Sequence, residues 1–201
     1  MQYTTFDLTI ENNVAHLRFN RPLKHNTMSL EFWREFPHAI KSIDEGAQAR
    51  VLVISGEGKH FCAGMDLAVF TSGAIKRPKD PARRNEHMRQ LVLQLQAVIS
   101  SVENMRIPVL AAIQGGAIGG ALDLVCACDC RYMSEDAFVS IEEIRLGMAA
   151  DLGTLQRLPR LIAPGLAKEL AYTGRRMMSQ EALASGLVNQ VFEDAQSMLK
   201  G

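Results

Sequence analysis

Hydrophobic and polar positions alternate over residues 3–20, with Asn12-Asn13 in the middle. Alternation at period two lays one face of a strand on a core, and an Asn pair accepts the positive φ of a tight turn. The stretch predicts a hairpin, ended by Arg21-Pro22. Over 29–44 the period changes, and Trp33, Phe36, Ile40 and Ile43 fall on one face of a helix. Ser29 or Thr27 can cap its start, and Pro37 would kink it. Val51-Leu52-Val53-Ile54, closed by Gly56, is the continuous apolar run of a buried parallel strand. The strongest helix pattern covers 86–105, with apolar residues at 88, 91, 92, 95, 98, 99 and 102. Between these lies a polar stretch, 71–85, with Lys76, Arg77, Lys79, Arg83 and Arg84. It reads as an exposed, mobile loop whose cations are solvated or meet an anionic group of a ligand.

A second buried strand, Pro108 to Ile113, runs into Gln114-Gly115-Gly116-Ala117-Ile118-Gly119-Gly120. A helix of small apolar residues is expected from about Gly119 to Cys126. Further strands are expected near 129–133, 137–140 and 187–192, and helices near 153–158, 163–172 and 179–185. Strands alternating with helices predict an α/β fold with parallel strands, and no internal repeat is evident.

Composition narrows the function. Lys plus Arg and Asp plus Glu both number 22 in 201 residues. That balance argues against nucleic-acid binding and against an acidic disordered tail. A chain of this length buries roughly 70% of its unfolded surface, so a core needs no staples. No apolar stretch is long enough to span a membrane, and the first residues lack the pattern of a signal peptide. Cytoplasm is the expected location. Cys126, Cys128 and Cys130 alternate, which would put them on one face if extended; with Cys62 they read as free thiols of a reducing compartment. The five histidines form no ligand pair at helical spacing.

Two glycine-containing turns follow the two buried strands: Ala63-Gly64-Met65 and Gly115 through Gly120. Sites in open parallel sheets lie beyond the carboxyl ends of strands, where helix starts present free N–H groups. Two such groups facing one point would make an oxyanion hole; otherwise the glycines only permit tight turns. The second turn matches neither the phosphate-loop nor the dinucleotide pattern, so a nicotinamide enzyme is a weak alternative. Asp123 stands in an apolar run with no nearby cation before Arg131, so it is either functional or bonded to local backbone N–H groups. Of Glu142 and Glu143, one should turn inward if strand alternation continues. Asp151 and Asp66 can each cap a helix, and for Asp66 the cap is preferred. Three carboxylates and two glycine turns suit proton transfer next to a carbonyl.

These pieces together resemble the crotonase (enoyl-CoA hydratase/isomerase) superfamily. The matching residues are Asn20-Arg21-Pro22 with Asn26, Phe61-Cys62-Ala63-Gly64-Met65-Asp66-Leu67, Ile107 through Gly120, and Ala182 to Val188. The resemblance covers nearly the whole chain. It implies an α/β fold, a crotonase-like spiral of ββα units with surrounding helices. It puts the oxyanion-hole N–H groups at Met65 and Gly120, and substrate contacts at Ala63, Gly64, Met65, Asp66, Leu67 and Gly120. Asp123 and Glu143 match the acid and base of hydratases, although Asp departs from their usual Glu. The stretch from Asp123 to Pro159, including Gly147-Met148-Ala149-Ala150-Asp151-Leu152-Gly153-Thr154, instead resembles the dienoyl-CoA isomerase branch, whose three acids fall on Asp123, Glu143 and Asp151. The implied activity is a shift of a 3,5-dienoyl-CoA to the 2,4-dienoyl-CoA, with hydration of a 2-enoyl-CoA as the alternative. A family member that binds acyl-CoA without turnover is a third reading. No metal or redox cofactor is implied, since coenzyme A belongs to the substrate. The implied assembly is a homotrimer or homohexamer, with no nucleic acid or membrane partner. Residues 1–201 are expected to be a single core domain without the C-terminal helical trimerisation segment that members usually carry.

Overall fold

The computed structural model describes residues 2–71 and 78–200. The chain opens with the expected hairpin of β1 (Phe6–Glu11) and β2 (Val14–Phe19). Asn12 and Asn13 close it with φ of 50° and 63°, the double left-handed turn that matches strand twist. α1 (Leu30–Gly46) follows, and the Ser29 hydroxyl accepts the Phe32 N–H at its start. Pro37 lies inside this helix without ending it. β3 (Val51–Gly56) leads through the Phe61–Leu67 loop to the short α2 (Ala68–Thr71).

α3 (Pro81–Glu103) starts earlier than its apolar pattern predicts. Asp80 accepts the Arg83 N–H at 2.9 Å, and Pro81 takes the first position, where no N–H is needed. Arg83 and Arg84, expected in a loop, therefore lie in a helical turn; residues 72–77 of that expected loop fall outside the described residues. β4 (Val109–Ile113), β5 (Gly116–Ile118) and α4 (Gly120–Ala127) come next, then β6 (Cys130–Ser134) and β7 (Phe138–Ser140). A 3-10 turn at Glu143–Leu146 precedes α5 (Thr154–Leu161) and α6 (Pro164–Thr173). β8 (Met177–Met178), α7 (Ser179–Ala184), β9 (Gln190–Phe192) and α8 (Ala195–Met198) finish the chain.

The larger sheet runs β1-β2-β3-β4-β6-β9 and is parallel from β2 onward. The smaller sheet runs β5-β7-β8. Three times the chain passes from the larger sheet to the smaller and then into a helix. β3 is followed by Cys62, which bridges Ala117 of β5, and then by α2; β4 leads to β5 and α4; β6 leads to β7 and, past the 3-10 turn, α5. This is the expected spiral of ββα units. Its core includes Phe6, Phe19, Phe32, Phe36 and Phe61, with Phe19 edge-on to Phe32 and Phe61 at 5.8 and 5.4 Å.

The cysteines are free thiols, as expected, and because the expected helix and strand both form here, Cys126, Cys128 and Cys130 do not share one extended face. Cys126 ends a helix, Cys128 follows it and Cys130 opens a strand. Arg131 is buried and spends its guanidinium on the carbonyls of Leu187 (2.7 Å), Cys128 (2.6 Å) and Asp129 (3.3 Å). It ties β6 to the segment before β9 and leaves Asp123 to other partners. No helix among the described residues is long and apolar enough to cross a membrane.

Candidate active site

The two glycine turns meet where β3 and β4 end. Asn26 prepares the first turn: its side chain accepts the Arg21 N–H at 2.9 Å and donates to the carbonyls of Glu57 (2.9 Å), His60 (2.9 Å) and Phe61 (3.1 Å). The Asn20-Arg21-Pro22…Asn26 motif thus fastens the entry to the Phe61–Leu67 loop. Further on, Met28 pairs in parallel with that loop: its N–H donates to the Gly64 carbonyl at 2.8 Å, and its carbonyl accepts the Asp66 N–H at 3.1 Å. Because Met28 bonds the residues on either side, the Met65 N–H points to the opposite side.

Gly120 opens α4, so its N–H has no acceptor within the helix. Gly119 before it has φ of 55° and donates its own N–H to the Ser140 carbonyl at 2.9 Å. A Cβ placed on Gly120 would lie 3.6 Å from the Met65 nitrogen, and one on Gly64 would lie 3.1 Å from the Gly120 nitrogen. The two amides are therefore neighbours, one on a pinned loop and one at the positive end of a helix.

Two acids, Glu143 and Asp151, share a cavity with these residues, and a third, Asp123, is buried nearby on α4. Glu143 opens the 3-10 turn, and its Oε1 lies 3.0 Å from where a Cβ on Gly119 would sit. Its Oε2 is buried without a hydrogen-bond partner. Burial first, with the charges of Glu142 and Asp151 adding, raises the Glu143 pKa against the opposing pull of backbone hydrogen bonds. The inward turn of one acid is as expected, but a 3-10 turn rather than strand alternation produces it. Glu142 instead pairs with Arg145 at 3.1 Å.

Asp123 is 1% exposed and accepts the Thr154 N–H at 2.6 Å through Oδ1, while Oδ2 has no partner. The local backbone bonds considered from sequence do not form; the acid reaches across to the first residue of α5. Desolvation pushes its pKa up to about 7, against the Thr154 bonds and with help from the Glu143 and Asp151 charges. Asp151 is exposed on the turn before α5. It does not cap that helix, whose capping position is Gly153. Asp66 behaves as a capping acid, accepting the Ala68 N–H at 3.0 Å, and also meets Thr27 (3.3 Å) and Arg21 (3.8 Å).

A cleft of about 230 Å³ is lined by Ala63, Gly64, Met65, Leu67, Gly119, Gly120 and Glu143. A second cavity, about 380 Å³, brings Met65, Gly120, Glu143 and Asp151 together under an apolar wall of Met88, Leu91, Val92 and Leu95 from α3. Of the residues expected at the site, Asp66 and Asp123 line neither space: Asp66 faces Arg21 and Thr27, and Asp123 is buried against the start of α5. A larger apolar cavity of about 440 Å³ between the Glu143–Thr154 segment and α6 holds none of the acids and neither amide, so the chemistry does not belong there. Sequence reasoning missed Thr154, the partner of Asp123, and Trp33, whose indole N–H donates to the Met65 sulfur at 3.2 Å. Both contacts join distant parts of the chain and leave no local pattern.

Paired amides, two carboxyls and an apolar wall thus meet in one cavity on a ββα spiral. Residues 9–200 match the enoyl-CoA hydratase/isomerase family, and the chain belongs to it. It is 46% identical over 195 residues to the peroxisomal delta(3,5)-delta(2,4)-dienoyl-CoA isomerase of Arabidopsis thaliana, covering 94% of this chain and 70% of that protein. It is also 46% identical over 192 residues to the mitochondrial enzyme of the same name from Homo sapiens, covering 94% of this chain and 58% of that one. The chain thus spans 70% and 58% of the lengths of these two relatives. Their names lend the expected cytoplasmic location no support. Among solved structures, the enoyl-CoA hydratase of Bacillus anthracis superposes with a TM-score of 0.83 at 34% identity, covering 98% of this chain and 78% of that one.

Proposed function

We propose that this chain carries the site of a CoA-thioester isomerase that converts a 3,5-dienoyl-CoA to the 2,4-dienoyl-CoA. The observation that carries the reading is the cavity shared by the Met65 and Gly120 amides, Glu143, Asp151 and the apolar face of α3. The thioester oxygen is held by the two N–H groups, which stabilise the negative charge it gains as the enolate forms. Glu143, next to Gly119 and thus nearer the amides, takes the proton from the carbon beside the thioester. The electron pair moves along the chain, shifting both double bonds by one position. Asp151, reached only in the outer cavity, supplies a proton to the distal carbon four bonds away. One proton passes to Glu143 and one leaves Asp151, so the step balances without a metal or a redox partner, and the two acids exchange a proton with solvent before the next turnover.

Asp123 contributes indirectly. It receives the first N–H of α5 and so links the oxyanion helix α4 to the turn that carries Asp151. Its raised pKa also keeps a second negative charge from fully opposing the ionised form of Glu143. The hydratase reading would use Asp123 and Glu143 to hold a water, and the bare oxygens on both favour it; the absence of Asp123 from either cavity wall weighs against it.

The test is an assay of purified protein on both thioesters. Growth of a conjugated 2,4-diene band is expected, with little loss of a 2-enoyl thioester. Glu143→Gln and Asp151→Asn should each lower isomerisation by roughly 10²–10⁴-fold, the usual worth of a positioned acid or base. Rapid hydration with no diene formation, or full isomerase activity in Asp151→Asn, would defeat the reading.

A further inference from the structure

On the reading above, Asp151 works from an exposed turn, and exposed turns drift unless something ties them. Here the tie comes from α3. Gln96 Nε2 donates to the Asp151 carbonyl at 2.6 Å. One and two turns along the same helix, Ser100 and Glu103 hold Arg157 of α5 at 2.9 and 2.7 Å. On the far side of the turn, the Thr154 N–H is held by Asp123. The turn is thus fastened at both ends, and at Asp151 itself the side chain that fastens it is Gln96.

We infer that Gln96 is a positioning residue that sets where the Asp151 carboxyl stands over the acyl tail, an inference that rests on the proposed role of Asp151. Gln96 lies outside the cavity wall, so it does not touch the reacting atoms. Its amide has no proton to give at ordinary pH, so it acts through the backbone it holds. The same helix supplies Val92 and Leu95 to that wall. One rigid element therefore seats the tail and holds the acid that must reach its far carbon. A displacement of about 1 Å at such a point costs up to 10²-fold in rate.

The experiment compares Gln96→Met, which keeps length but removes the donor, with Gln96→Lys, which restores an N–H donor. Each is made in the native chain and in Asp151→Asn, and each is checked by thermal melting. Gln96→Met should lower kcat roughly tenfold with KM within about twofold, as expected for a misplaced acid rather than a weakened binding site. Gln96→Lys should recover most of the loss. In the Asp151→Asn background, Gln96→Met should cost nothing further. Unchanged kcat, a loss carried by KM, or an equal loss in both backgrounds would overturn the inference. Full isomerase activity in Asp151→Asn alone would remove the reading beneath it, and is told apart because Gln96 is then untouched.

Discussion

Burial without a cation governs Asp123. In the folded chain its carboxyl holds a proton up to about pH 7, whereas an unfolded one releases it near 3.8. Between those values the folded state binds a proton that the unfolded state lacks, so stability falls as pH rises through the window. The contribution is full below about pH 4 and is lost by about pH 7, on the order of 4 kcal/mol. Asp123→Asn keeps the oxygen that accepts the Thr154 N–H and removes the titration. Thermal melts from about pH 4 to pH 8 should show a falling Tm in the native chain and a flatter profile in the variant. Equal slopes would show that Asp123 does not titrate in this range. The apolar run around this residue is legible in the sequence, because no cation stands near it. Its partner is not, since Thr154 arrives from another helix start. Asp151 shows the same boundary: its spacing before Thr154 suits a cap, but the chain gives that place to Gly153.

The oxyanion site depends on two elements meeting without side chains between them. Gly64 has φ of 79°, and a Cβ there would collide with the Ile118 carbonyl and press on the Gly120 nitrogen. Gly64→Ala should therefore push the loop away from α4. The expected result is a loss of roughly 10²–10³-fold in kcat/KM, the worth of an oxyanion donor, with about 1–3 kcal/mol of strain seen in urea unfolding. Gly165→Ala in α6 is the control, because a Cβ there meets nothing within 4 Å. It should leave kcat/KM unchanged and stabilise by a few tenths to about 1 kcal/mol. The long elements follow from periodicity alone, and the start of α3 from Asp80-Pro81 once the capping rule is applied. The small sheet follows only in part: β7 matches the strand expected near 137–140, but its partners β5 and β8 leave no pattern. Gly116-Ala117-Ile118 carries three residues of strand and Met177-Met178 only two, too short for any alternation to register. Their pairing comes from the spiral, which the local sequence does not encode.

At the scale of the molecule, the cavity exists because α3 leans over the Glu143–Leu152 segment while only Ile99 and Val102 of that helix are packed away. The amphipathic pattern that marks α3 so clearly in the sequence therefore serves two surfaces: Ile99 and Val102 are buried in the core, and Val92 and Leu95 both pack against it and roof the site. Apolar periodicity cannot distinguish these, because a residue that faces a fatty chain looks like one that faces a core. Substrate size should then be set from the middle of α3. Val92 is half-buried, with part of its side chain packed against the core and part lining the cavity shared with Glu143 and Asp151, so a larger side chain there extends into that cavity. Val92→Phe should lower kcat/KM for a long-chain dienoyl thioester by about tenfold or more, since each displaced methylene is worth about 1–3 kcal/mol in a hydrophobic pocket. A short-chain thioester should be processed within about twofold of the native rate, because its reacting carbons sit at the amides and acids beyond the ring. Competition of the two substrates in one mixture gives the ratio directly. If both chain lengths lose equally, the phenyl ring has disturbed the acids rather than the tail, and α3 does not measure chain length.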